Sequence, residues 1–101
     1  MADFSTVCRV ADIANGAAKM FVVNGKEIAV YNLAGTFYAT QQACLHRNGP
    51  LSEGDIDGCV VTCPWHGWEY DIPTGEHLVD RKSKLATYPV KVENGEVKVA
   101  A

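Results

Sequence analysis

The sequence predicts an all-β fold, and three observations support this prediction. Hydrophobic residues alternate with polar ones over much of the chain, which is typical of strands that bury one face. Turn-forming dipeptides separate these runs at intervals of about 8–12 residues, as in small sandwiches and barrels. No long window shows the 3.6-residue repeat of an amphipathic helix. The length of 101 residues corresponds to one domain.

The first half of the chain contains four predicted strands. STVCRVADI at 5–13 is the first, and AKMFVVNGKEIAVYNLAGTFYAT at 18–40 contains three more, divided by Asn24-Gly25 and Ala34-Gly35. An Asn-Gly pair suits a two-residue hairpin because both residues can adopt a positive φ.

The second half begins irregularly and ends in a hairpin. Alternation fails between residues 40 and 67, where RNGPLSEGDIDG at 47–58 is rich in turn-forming residues. GCVVTC at 58–63 and WEYDI at 68–72 are predicted as short strands. YPVKVENGEVKVA at 88–100 predicts a second Asn-Gly hairpin, in which alternating valines allow each strand to bury one face.

Composition and charge argue against some classes of function. The net charge is −3 at pH 7, whereas nucleic-acid-binding surfaces are basic, so no nucleic-acid partner is expected. No secretory signal is visible, and no stretch reaches the roughly 18 apolar residues of a membrane helix. We therefore expect a cytoplasmic protein with no membrane partner. Cysteines in that compartment are more often ligands or buried thiols than disulfides.

Two short turns each combine a cysteine with a histidine. The spacings are Cys44-x-His46 and, after sixteen further residues, Cys63-x-x-His66. One catalytic cysteine would not require the arrangement twice, and a Cys44–Cys63 disulfide would leave both histidines unexplained. Metal binding explains all four. Zinc accepts two cysteines and two histidines, but a mixed pair in each turn better suits a Rieske 2Fe–2S centre, in which two histidines replace two cysteines on one iron.

The other residues of these types are interpreted as structural. Cys8 and Cys59 occupy alternating positions in predicted strands, and His77 follows a turn. A buried cysteine commonly behaves as a small hydrophobic residue. We therefore expect packing roles for Cys8, Cys59 and His77.

At its two Cys/His turns the chain resembles the Rieske proteins. CLHRNGPLSEG and CPWHGWEYDIPTG are similar to the two cluster-binding loops of that family, including the Pro and Gly that flank the second histidine. The resemblance implies a Rieske-like fold of small antiparallel sheets over residues 1–101, with a cluster-binding subdomain of two loops at roughly 41–70. It also implies one 2Fe–2S cluster, with Cys44 and Cys63 on one iron and His46 and His66 on the other.

Differences from the respiratory Rieske proteins indicate which kind of Rieske protein this chain resembles. Those proteins have an additional cysteine in each loop, where this chain has Gly49 and Trp65, and a serine where this chain has Trp68. Fewer hydrogen bonds to the sulfurs imply a reduction potential toward the low end of the range of about −150 to +300 mV. Leu45, Pro64 and Trp65 are expected to cover the cluster, with ordinary core packing as the alternative for Trp65.

By the same resemblance the chain is an electron carrier rather than an enzyme. It would accept single electrons from an NAD(P)H-dependent flavoprotein, a ferredoxin reductase, and pass them to the terminal oxygenase of an aromatic-ring dioxygenase system, with transient docking near His46 and His66. A small Rieske subunit of assimilatory nitrite reductase is the alternative, and a structural zinc module is a more distant one.

Overall fold

A computed structural model describes residues 4–45, 49–65, 67–80 and 82–101. The fold is all-β, as predicted, apart from two short 3-10 turns at Val10–Asp12 and Leu51–Glu53. The strands found in these ranges are β1 (Phe4–Arg9), β2 (Ala17–Val23), β3 (Lys26–Leu33), β4 (Thr36–Gln41), β5 (Asp55–Asp57), β6 (Val60–Thr62), β7 (Glu69–Asp71), β8 (Thr87–Tyr88), β9 (Val90–Glu93) and β10 (Glu96–Ala100).

The strands form three antiparallel sheets. Their orders are β1-β10-β9, β2-β3-β4-β8 and β5-β6-β7. Both Asn-Gly hairpins are confirmed. Asn24 and Gly25 join β2 to β3 with φ values of 51° and 78°, and Asn94 and Gly95 join β9 to β10 with 53° and 76°. These positive φ values are those that a type I′ turn requires.

Two hydrophobic clusters meet at β3, which is buried on both faces. Ile28 and Val30 belong to the first cluster, together with Val97 and Val99 of β10. The intervening Ala29 and Tyr31 belong to the second cluster, which also contains Cys44 and Cys63. Because successive side chains of a strand point to opposite faces, β3 connects the general core to the region of the two Cys/His turns.

Three local expectations were wrong. The first predicted strand ends at Arg9, where the 3-10 turn begins. The segment 47–58, predicted to be irregular, contains β5. This strand was not predicted because two of its three residues, Asp55 and Asp57, are acidic and exposed, and only Ile56 faces inward. Val92 of the final hairpin is 46% exposed, since β9 is an edge strand that covers little of the core.

Among the described residues there is no helix long and apolar enough to cross a membrane.

Candidate metal centre

Cys44 begins a closed loop after β4. Ala43 and Pro50 form an antiparallel bridge at its base, and the Cys44 N–H donates to the carbonyl oxygen of Gly49 at 2.9 Å. The side chain of Cys44 is 1% exposed. The loop therefore returns the chain to its starting point and holds the sulfur inside the second hydrophobic cluster.

Cys63 begins a second closed loop, between β6 and β7. Its N–H donates to the carbonyl oxygen of Trp68 at 2.7 Å, and its own carbonyl accepts from Gly67 N at 3.1 Å. Gly67 has a φ of 76°, a conformation that glycine adopts without a steric penalty. Cys63 is 3% exposed. In each loop the cysteine is therefore the first residue after a β-paired segment.

Gly49 brings the two loops into contact. A Cβ atom built on it would lie 2.6 Å from Cys63 Sγ and 3.3 Å from Cγ of Trp65. Approaches under 3.0 Å are not found for real Cβ atoms, so a larger residue would force the loops apart. The end of the first loop therefore packs directly on the sulfur of the second.

Tyr70 of β7 connects the second loop to the first. Its hydroxyl oxygen lies 3.2 Å from Cys44 Sγ and accepts a hydrogen bond from Leu45 N, also at 3.2 Å. Burial raises the pKa of this hydroxyl, and the contact with Cys44 raises it further. The Tyr70 oxygen and the Cys44 sulfur share a hydrogen bond in which either atom can donate. Sequence reasoning did not identify Tyr70, although its inward position in WEYDI was the available signal.

The structure brings together two of the four predicted ligands. Cys44 and Cys63 lie in one buried cluster, whereas His46 and His66 lie outside the described residues. Within the described ranges, no group of three or more potential metal ligands is present. No disulfide joins any of the four cysteines, all of which are described. Two buried sulfurs, one of them within hydrogen-bond distance of the Tyr70 hydroxyl, form a donor set that suits thiolate ligation of iron.

The remaining Cys and His residues are separated from one another. Cys8 is half-buried against the first hydrophobic cluster, and its thiol pKa is raised by burial and then by Asp12. Cys59 was expected to pack in a strand, but it is exposed in the turn before β6, with Sγ 3.5 Å from Asp71 Oδ1. His77 is buried as expected, at 7% exposure.

Apolar side chains next to the predicted histidine ligands are exposed. Leu45 precedes His46 and is 41% exposed, and Trp65 precedes His66 and is 57% exposed. Core packing of Trp65, the alternative interpretation, is therefore wrong. Trp68 is half-buried and packs on the second hydrophobic cluster.

The fold and the site define a member of the Rieske proteins. Residues 3–89 match the family model described as the Rieske [2Fe-2S] domain. The chain belongs to this family, and its cofactor is a Rieske 2Fe–2S cluster. The buried thiols of Cys44 and Cys63 fit that assignment, which replaces the zinc alternative.

Within the family, the similar proteins include ferredoxins of dioxygenase systems. The chain is 41% identical over 87 residues to the ferredoxin component of the naphthalene 1,2-dioxygenase/salicylate 5-hydroxylase systems of a Ralstonia species, covering 85% of this chain and 84% of that protein. A solved structure, the complex of reduced oxygenase and oxidized ferredoxin in carbazole 1,9a-dioxygenase, contains a chain that is 35% identical to this one, with a TM-score of 0.88. The match covers 96% of this chain and 92% of that chain.

One further structure shares the fold alone. It is the putative NADH-dependent nitrite reductase small subunit from Mycobacterium tuberculosis, with a TM-score of 0.93 at 20% identity over 100% of this chain and 96% of that one.

Proposed function

We propose that this protein is an electron carrier that accepts one electron from an NAD(P)H-dependent flavoprotein reductase and passes it to a terminal aromatic-ring oxygenase. The observation that carries the proposal is the pair of buried cysteines at the bases of two touching loops, in a chain whose relatives are named ferredoxin components. The 2Fe–2S cluster supplies the one-electron chemistry. A reductase of this kind uses a cytoplasmic pool of NAD(P)H, so the carrier would act in the cytoplasm.

The proposed ligands are Cys44 and Cys63 on one iron and His46 and His66 on the other, within a single domain of residues 1–101 whose cluster-binding part spans about 41–70. The contact of Gly49 with Cys63 supports this assignment because it joins the loops that contain all four residues. The protein holds the sulfurs away from water, whereas the histidines follow exposed residues in the chain.

Single substitutions test the ligand assignment. Purified protein should contain two irons and two acid-labile sulfides per chain, and Cys44→Ser and His66→Ala should lose the cluster absorbance. Cys59→Ser and His77→Phe are the matched controls, since both residues lie outside the proposed set, and they should retain the iron. A Cys44→Ser protein with a normal cluster spectrum would show that the assignment is wrong.

The docking surface proposed for both redox partners surrounds His46 and His66. Exposed Leu45 and Trp65 support it, because each is a large apolar side chain beside a proposed outer ligand. Transient redox interfaces are small, often under about 1,200 Å², so these few residues can contribute much of the contact.

Reconstituted electron transfer tests the docking surface. Trp65→Ser should lower the second-order rate of oxygenase reduction by about tenfold, in line with the loss of an interface aromatic, after correction for any change in its separately measured midpoint potential. Val22→Ser on β2, where the valine is 62% exposed, is the control and should leave the rate unchanged. Equal rates for the Trp65 variant and the unmodified protein would exclude this surface. Co-purification with a sirohaem subunit, and no transfer to any oxygenase, would favour the nitrite reductase alternative.

A further inference from the structure

The third histidine of the chain, His77, lies in the wall of the cluster-binding region. It is 7% exposed, although no ligand role is assigned to it. Its ring contacts two aromatic residues of the second loop and of β7, and one of these is Tyr70.

The backbone pairs His77 with Tyr70. The two residues form an isolated antiparallel bridge. Two backbone hydrogen bonds flank the bridge, from Asp71 N to Glu76 O at 2.8 Å and from Leu78 N to Glu69 O at 3.0 Å. Tyr70 and His77 are therefore a non-hydrogen-bonded pair, the arrangement in which opposing side chains come closest.

The His77 ring packs against two neighbouring rings. Its centroid lies 4.5 Å from that of Trp68, with 35° between the planes, and 5.3 Å from that of Tyr70, with 55° between the planes. These are aromatic contact distances. The Tyr70 ring therefore cannot swing toward His77, and its hydroxyl stays directed at the first loop.

The His77 ring is itself held in place. Its Nδ1 accepts a hydrogen bond from Asp80 N at 3.1 Å, and its backbone N–H donates to the carbonyl oxygen of Ser83 at 2.9 Å. Rotation of the ring would break the bond to Asp80. The segment after the bridge thus fixes the His77 ring, and the His77 ring limits the position of Tyr70.

We propose that His77 is a positioning residue that keeps the Tyr70 hydroxyl within hydrogen-bond distance of Cys44 Sγ, and so raises the reduction potential of the cluster. A hydrogen bond to a ligating sulfur offsets its negative charge and favours the reduced state. Residues that orient the neighbours of ligands tune metal sites in this way. The inference rests on the proposed role of Cys44 as a ligand.

A double-mutant cycle on the holoprotein tests the proposal. Midpoint potentials are measured by spectroelectrochemical titration for His77→Ala, Tyr70→Phe and the double variant. His77→Ala should lower the potential in the same direction as Tyr70→Phe, and the double variant should match Tyr70→Phe alone. An unchanged potential in His77→Ala, or a full additional decrease in the double variant, would overturn the proposal.

Two further variants separate positioning from general destabilisation. His77→Phe keeps a ring against Tyr70 but loses the hydrogen bond with Asp80 N. Its midpoint potential should stay close to that of the unmodified protein. This variant can be measured even if His77→Ala binds its cluster poorly. Val97→Ala creates a cavity in the first hydrophobic cluster, away from Tyr70, and should lower stability without changing the potential. A decrease in potential in Val97→Ala equal to that in His77→Ala would contradict the positioning role.

Resonance Raman spectra provide a readout specific to the hydrogen bond. In D₂O the iron–cysteine stretching bands of the unmodified protein should shift, because a ligating Cys44 sulfur has no proton and the Tyr70 hydroxyl that then donates to it exchanges with deuterium. The shift should decrease in His77→Ala and be restored in His77→Phe. An undiminished shift in His77→Ala would contradict the inference while leaving the ligand assignment intact, whereas a Cys44→Ser protein with a normal cluster would overturn the ligand assignment itself.

Discussion

The hydroxyl oxygen of Tyr70 lies 3.2 Å from the sulfur of Cys44, although 26 residues separate them in the chain. The same oxygen accepts the N–H of Leu45. One side chain of β7 therefore binds both the sulfur and the backbone of the first loop. The sheet β5-β6-β7, which holds the second loop between β6 and β7, is attached to the first loop by this contact and by the approach of Gly49 to Cys63.

Removal of the Tyr70 hydroxyl should change both potential and stability. We expect Tyr70→Phe to lower the midpoint potential by several tens of millivolts, where about 59 mV corresponds to a tenfold change in a one-electron equilibrium. Urea unfolding should show a loss of about 1–3 kcal/mol, because the Leu45 N–H loses its partner. Tyr31→Phe is the matched control: it also removes a buried hydroxyl, but one bonded to Thr40. An equal change in potential in that variant would contradict the specific role of Tyr70.

A methyl group at Gly49 should prevent normal cluster binding. Gly49→Ala places a carbon 2.6 Å from Cys63 Sγ, so one of the two loops must shift, and the hydrogen bonds that close each loop oppose this shift. We expect iron content and visible absorbance well below those of the unmodified protein. Gly58→Ala is the control, because its φ of 62° strains the backbone while nothing lies within 4 Å of the added carbon. That variant should be less stable but fully loaded with iron, and equal iron contents in the two variants would argue against the steric explanation.

The amide of Gln42 should stabilise the segment between the two loops. Its Nε2 donates to Ser52 Oγ at 2.9 Å, and its Oε1 accepts from Ser52 N at 3.1 Å. We expect Gln42→Ala to lower the free energy of unfolding by about 1–3 kcal/mol, because Ser52 N loses its partner in a part-buried position. Chemical denaturation measures this, with Glu27→Ala, at an exposed position of β3, as the neutral comparison. If Gln42→Ala and Glu27→Ala had equal free energies of unfolding, the predicted stabilising role of the Gln42 amide would be wrong.

Alkylation should distinguish the four cysteines of the holoprotein. Cys59 is exposed, whereas the thiol pKa of half-buried Cys8 is raised by burial and by Asp12. Since the thiolate is the reactive form, iodoacetamide at about pH 8 should label Cys59 first. Labelling of Cys8 should accelerate at higher pH as its thiolate fraction increases, and mass spectrometry of peptides follows both. Rapid labelling of Cys44 or Cys63 in the loaded protein would contradict their assignment as buried ligands.

Features that depend on near neighbours in the chain were predictable from the sequence. The Asn24-Gly25 and Asn94-Gly95 hairpins follow from residues that tolerate a positive φ next to alternating hydrophobic residues. The two Cys/His turns were visible because their ligand types lie two or three residues apart. These local signals were sufficient to predict an all-β Rieske protein with a 2Fe–2S cluster.

The residues that support the site could be identified only from the way its loops and strands pack together. The contacts of Tyr70 with Cys44 and of Gly49 with Cys63 join different segments of the chain, whereas His77 meets Tyr70 across the turn that follows β7. The inward position of Tyr70 was visible in WEYDI, but the contact partners were not, because they depend on the register of β6, β7 and the bridge that follows. β5 was missed for the same reason, since its acidic residues form a strand only when β6 pairs with them.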